Sequence, residues 1–212
     1  MSLFIAYLHH EGFAPKTMST YLSAIGYVHK LNSLPDPSTA FLVTKLVAGA
    51  YRLKPSFDTR LPITVPVLNK LLQSLPHVTT SSFEHFLFRS MFLLGFSAFA
   101  RIGEITVASL GDSFKTMQLS DVTFVNSSVP SGGLSVEITF RFYKHNLTAA
   151  PYTISFYDGP AISSAVLALH DYVNLRGRYP GPLYCHGSKQ PVMRVTFDKL
   201  LRRALAFSRL DS

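Results

Sequence analysis

The chain has 212 residues, 47% hydrophobic and 15% charged, enough apolar material for a packed core and far from the composition of a mostly disordered chain. Twenty Lys and Arg face twelve Asp and Glu, a formal +8 with a pI near 9.7, which favours a polyanionic partner because each neutralised phosphate releases condensed counterions. A single cysteine, Cys185, excludes an intrachain disulfide and a cysteine-based zinc site and points to a reducing compartment.

Met1 to His10 has neither a basic n-region nor a small-residue cleavage site, so it does not read as a secretory signal. Leu3, Tyr7 and Leu8 stand at helical spacing. The pattern resumes after Ala14-Pro15 at Tyr21, Leu22, Ile25, Val28 and Leu31, with Pro15 near a helix start. Pro35-Asp36-Pro37-Ser38 marks a turn, and Phe41, Leu42, Lys45, Leu46 and Ala50 predict a third helix ending before Pro55. Residues 1–55 are thus expected to form a small helical domain. Residues 56–64, rich in turn formers, read as a linker to a second domain over 65–212.

Val65 to Leu75 and Ser82 to Ala100 predict two further helices, the second with a plain cap at Ser82 and no Glu or Gln three residues on. Its apolar run, Phe86 to Ala100, contains Arg89 and is shorter than the roughly 18–20 residues a membrane span needs, so it reads as a core helix and not as a membrane segment. Beyond Ala108 the period changes to two. Asp121–Val125, Leu134–Phe142 and Tyr152–Phe156 predict a small antiparallel sheet, with turns at Pro130–Gly133 and Tyr143–Asn146. Helical spacing returns at Pro160–Leu175 and Val195–Phe207. The expected class is mainly α with a small antiparallel β-sheet.

The most informative stretch is Met91 to Ile105, an apolar segment that ends in Arg101 with Glu104 three residues on. A guanidinium grips phosphate through paired hydrogen bonds, and a carboxylate can hold it in place. Gly95, Arg101, Ile102, Gly103, Glu104 and Ile105 resemble the first arginine box of the tyrosine recombinases, the phage integrase-like family. Phe4-Ile5-Ala6-Tyr7-Leu8 and Thr17 … Tyr21-Leu22 … Ile25 are similar to that family's SAM-like core-binding domain. Leu169, Tyr172, Arg176, Gly181 and Leu183-Tyr184 resemble a segment of its mobile-element members.

The resemblance implies a DNA-clamping domain followed by an integrase-like catalytic domain. It further implies attack of a tyrosine hydroxyl on a phosphodiester, with arginines and histidines stabilising the charged transition state and a hairpin lysine protonating the leaving oxygen. Arg101 would then be the first arginine, Glu104 its orienter and Lys144 the hairpin lysine, with Lys115, Arg141 and His145 as nearby alternatives to Lys144. Double-stranded DNA is the implied partner, with copies of the chain assembling on it, and no cofactor or metal is implied. The implied location is the nucleus in a eukaryote and the cytoplasm otherwise.

The family's His-x-x-Arg box and its tyrosine should follow the sheet and the next helices. His145, His170 and His186 are followed three positions on by Thr148, Val173 and Lys189, and no tyrosine lies beyond Tyr184. The expectation is therefore an integrase-like domain cut short before the second arginine box and unable to cleave DNA alone, with apolar surface left exposed on the helix at 195–207. Arg194, Lys199, Arg202, Arg203 and Arg209 cluster towards that end, and Lys16, Lys30, Lys45, Arg52 and Lys54 are spread through the first domain, as phosphate contacts would be. A non-catalytic DNA-binding or architectural protein and a helical protein-interaction module are the two rival readings.

Overall fold

The computed structural model describes residues 1–55, 62–126, 133–143, 150–157 and 164–210. It is mainly helical with one three-stranded antiparallel sheet. The chain divides into two compact units, Met1–Leu61 and Pro62–Ser212, a division that falls within residues 56–64. Among the described residues no helix is long and apolar enough to cross a membrane.

The first unit packs α1 (Ser2–His10), α2 (Pro15–Leu31) and α3 (Phe41–Leu53) around Ile5, Leu8, Met18, Leu22, Val43 and Ala50. Pro15 occupies the first turn of α2, where its missing N–H costs nothing. The turn between α2 and α3 is pinned by Asp36. Its carboxylate accepts the Ser38 N–H at 2.9 Å and the Ser38 hydroxyl at 2.6 Å, and it pairs with Lys30 at 3.0 Å. The Ser38 bonds and then Lys30 hold its pKa down at about 2.

Gly26 faces this carboxylate so closely that a Cβ there would stand 2.7 Å from an Asp36 oxygen. Alanine is about 1 kcal/mol better than glycine inside a helix, yet Gly26→Ala is expected to loosen this unit, because the pinned carboxylate must move. Amide hydrogen exchange along α2 in the full chain reads the change. In an Asp36→Ala background the same substitution should increase protection, and its failure to do so would discount the contact.

The second unit is built on α5 (Ser82–Ser97), which packs against α4 (Val65–Val78) and α7 (Ala165–Arg176), while α8 (Arg194–Phe207) covers α4. Leu87, Phe88, Met91 and Leu94 of α5 are at most 1% exposed. The sheet has β2 (Leu134–Phe140) between β1 (Val122–Asn126) and β3 (Tyr152–Tyr157). Ile138 pairs with Val122 on one side and Ile154 on the other. Alternation buries Val136, Ile138 and Phe140, and β2 packs on α7.

Several boundaries differ from expectation. α4 runs through Pro76 to Val78, and β2 stops at Phe140, where its pairing with Tyr152 ends. α7 begins at Ala165, capped by the Ser164 hydroxyl, and residues 160–163 lie outside the described residues. So do most of the two expected sheet turns. The α5 cap is Ser81, not Ser82. Its hydroxyl accepts the Glu84 N–H at 3.2 Å, and the Glu84 carboxylate reaches back to the Thr80 N–H and hydroxyl at 2.9 and 2.6 Å. Glu84, not His85, is the third residue of that helix.

α5 also ends earlier than Ala100. It stops at Ser97, and Phe99 adopts a left-handed φ of 50° while 90% exposed. The reversal leaves Arg101 beyond α5, as the N-cap of the one-turn helix α6 (Ile102–Ile105).

Candidate nucleic-acid interface

Arg101 is placed by α6. The Glu104 carboxylate accepts the Arg101 backbone N–H at 2.8 Å and its Nη1 at 3.2 Å, so one carboxylate both closes the first turn of the helix and fixes the guanidinium. The Arg101 side chain can only donate, so only this returning half of a capping box forms. The Glu104 side chain is 10% exposed and that of Arg101 54%: the anion is buried and the cation faces out. The Arg101 guanidinium makes no other hydrogen bond among the described residues.

Backbone hydrogen bonds tie α6 to two irregular segments. The Glu104 carbonyl accepts the Met117 N–H at 2.9 Å, the Met117 carbonyl accepts Leu183 N–H at 2.8 Å, and the Gly181 carbonyl accepts Leu119 N–H at 3.0 Å. Residues 117–119 therefore lie as a short strip between α6 and 181–183. Behind them stands a buried polar knot. The Tyr172 hydroxyl accepts the Cys185 N–H at 2.8 Å and has the Leu183 and Cys185 carbonyls at 3.1 and 3.0 Å. Burial pushes its pKa far up, as it does for Tyr184, whose hydroxyl meets that of Ser90 at 3.1 Å. Neither is available as a nucleophile.

Asp121 repeats the Glu104 arrangement. Its carboxylate accepts the Gln118 N–H at 2.9 Å and the Nε–H of Arg141. The Asp121 side chain is 2% exposed and that of Arg141 54%. Glu104, Asp121, Lys115 and Arg141 line one small cavity, with Lys115 paired to Asp112 at 2.7 Å. Tyr152 stacks on Phe140, its cross-strand partner, at 4.9 Å, and Tyr143 meets its edge at 4.9 Å. Burial and then the charge of Glu104 raise the Tyr152 pKa, with Arg101 opposing.

Of the residues singled out from the sequence, Arg101 and Glu104 stand together, and Lys144 lies outside the described residues. Asp121 and Arg141 share a cavity with Glu104 across 17 or more residues of chain, with no local spacing to announce it. His186-Gly187-Ser188-Lys189 lies apart from Arg101. It forms a tight turn, with Lys189 at φ 65°. Gly187 lies against Phe83, at the N-terminal end of α5. The 16 residues of that helix span about 24 Å, and Arg101 follows the other end.

Beside Arg101, Ala100 and Ile102 border an apolar groove of about 420 Å³ that also includes Leu71, Phe92, Phe99 and Leu201. On α8, Val195 is 62% and Phe207 54% exposed, and Lys199, Arg202 and Arg203 are exposed, while Arg194 stands 3.9 Å from Asp198. In the first unit Lys16, Lys45 and Arg52 are exposed, and Lys54 donates to the Gly12 carbonyl at 3.0 Å. Among the described residues no three His, Cys, Asp or Glu are grouped to hold a metal ion. No protein-family model and no curated protein matches this chain.

Proposed function

We propose that this chain binds double-stranded DNA through phosphate contacts centred on Arg101, as part of a tyrosine-recombinase-like protein. The observation that carries the reading is the Arg101–Glu104 pair: the anion is buried with each oxygen engaged by its own arginine, while the arginine side chain is half exposed. A phosphate oxygen is the acceptor that suits such a fork, because two parallel charge-assisted hydrogen bonds fix its orientation. In this reading Arg101 stabilises the charge on a phosphodiester and Glu104 orients Arg101; the chain does not cleave DNA alone, and Lys144 would protonate the leaving oxygen only where a tyrosine hydroxyl supplied from elsewhere attacks the phosphorus. The basic residues of α8 and of the first unit add contacts that position the duplex without reading its sequence. Assembly of copies on DNA, and a location in the nucleus of a eukaryote or otherwise in the cytoplasm, belong to the same proposal.

The test is fluorescence anisotropy of a labelled mixed-sequence duplex over a KCl series, with wild type and Arg101→Ala. Affinity should fall as salt rises, and Arg101→Ala should weaken binding about tenfold and reduce the salt slope by about one. A folded, monodisperse chain that binds no duplex at low salt would sink the reading.

One observation favours the interaction-module alternative. Tyr27 and Leu31 of α2, Leu34 just beyond it, and Phe41 and Leu53 at the two ends of α3 are 54–75% exposed. Failure to bind DNA would leave that surface as the stronger lead.

A further inference from the structure

We propose that the outer edge of β1 is a docking site for an extended peptide with acidic side chains, which adds to the sheet as a further strand and pairs with Arg178.

The sheet ends at β1 on one side, since its order is β1-β2-β3. The register with β2 runs unbroken from Val122 opposite Ile138 to Asn126 opposite Leu134, without a bulge. Among the described residues the main-chain groups of Thr123, Phe124 and Val125 find hydrogen bonds only in β2, where the Ser135 hydroxyl also donates to the Val125 carbonyl at 3.0 Å. Alternate residues of an antiparallel strand turn their N–H and C=O to opposite sides, so the outer side of β1 presents open donors and acceptors. Proteins guard such an edge with charged residues, proline or a bulge. Val122-Thr123-Phe124-Val125-Asn126 has none of the three.

A pocket of about 350 Å³ lies beside this strand, lined from β1 by Val122, Thr123 and Phe124 and from α7 and the residues just after it by His170, Asn174 and Arg178. Successive strand side chains point to opposite faces, so a pocket that touches three in a row reaches round the strand's edge. No β2 residue lines it, which makes that edge the outer one. His170 meets the Phe124 ring edge-on at 5.3 Å, with the Asn174 amide 3.3 Å and the Asp171 carboxylate 3.9 Å from its ring. Arg178 is exposed and has no hydrogen bond, ion pair or ring contact among the described residues. An unpaired guanidinium beside an open strand edge suits an extended partner that carries a carboxylate. Main-chain bonds to β1 supply affinity, and the side chains that reach the pocket supply selectivity. A duplex offers phosphates to Arg178 but no ladder of N–H and C=O groups to β1.

The experiment follows the amide NMR spectrum of the full chain during titration with a peptide of alternating valine and glutamate, about six residues long as strands commonly are. The same peptide with lysine for glutamate, and the glutamate peptide N-methylated throughout, are the comparisons. The glutamate peptide should shift the amides of Val122–Val125 and Arg178 and slow hydrogen exchange in β1. The lysine peptide should bind about tenfold more weakly, because it sets like charges together. Arg178→Glu, an exposed substitution whose folding the same spectrum checks, should invert that preference, and the N-methylated peptide, which has no N–H to give, should not bind. No shift in β1 with either unmethylated peptide would overturn the proposal outright. A preference left unchanged by Arg178→Glu would remove Arg178 from it, and undiminished binding of the N-methylated peptide would rule out strand addition. Shifts of Thr123 and Arg178 with duplex DNA but not with peptide would make this a phosphate contact instead.

Discussion

Replacing Arg176 by alanine is expected to destabilise the larger unit by about 3 kcal/mol or more, since each carbonyl left without its donor costs about 1–3 kcal/mol where it is shut off from water. Arg176 is the last residue of α7 and is 4% exposed. Its Nη1 donates to the Gly177 and Tyr179 carbonyls at 3.0 and 2.9 Å, and its Nη2 donates to the Pro182 carbonyl at 2.8 Å. The guanidinium lies 4.2 Å from the centre of the Tyr179 ring, at the negative end of the helix dipole. Alanine would leave carbonyls without donors and empty the volume between α7 and residues 177–182. Lysine keeps the charge but not the fork, so Arg176→Lys should recover less than half of the loss. Urea denaturation measures both. A change below about 1 kcal/mol for the alanine variant would mean that the carbonyls find other donors.

The second large effect belongs to Glu104. Glu104→Ala removes the acceptor of the Arg101 N–H, a loss comparable to that of an N-cap and so about 1–2 kcal/mol. It also frees the guanidinium to rotate. Duplex affinity should therefore fall about as far as in Arg101→Ala, although Glu104 touches no phosphate in the proposed arrangement. Combining the two substitutions should cost little more than either alone, because both abolish one contact. Unchanged affinity in Glu104→Ala would show that Arg101 is held by something other than this carboxylate.

Much of the fold is legible in the chain. Period-3.6 apolar spacing marks the seven longer helices among the described residues, because each buries one face or, for α5, most of its circumference. The strands are visible as alternation for the same reason. What escapes is set by contacts between residues distant in sequence. α6 has four residues, too few for any period, and exists because Glu104 closes on Arg101. α5 ends early because Phe99 turns left-handed, a conformation that a phenylalanine does not advertise. The α5 cap is misread by one position because Ser81 and Ser82 are equally good candidates until the backbone chooses.

The site is legible in half. Arg101 and Glu104 are three residues apart and readable as a unit, whereas the Asp121–Arg141 pair spans the first sheet turn and surfaces only when β2 returns. The Leu169–Tyr172–Arg176 spelling reads from sequence as a family signature with no evident task. In the fold it is a lock: Leu169 is fully buried, Tyr172 hydrogen-bonds at Leu183 and Cys185, and Arg176 gathers the carbonyls of the loop between them.

The strip at 117–119 is fastened to α6 and to 181–183 entirely through main-chain N–H and carbonyl groups. Such bonds are indifferent to which side chains the strip carries, proline at a donor position excepted. The route of this stretch therefore rests on groups that nearly every residue carries, while Met117 and Leu119 are held to apolar types by their packing in the core. The path of the backbone thus sets where Glu104 and Asp121 stand, and two carboxylates translate that path into the positions of two cations.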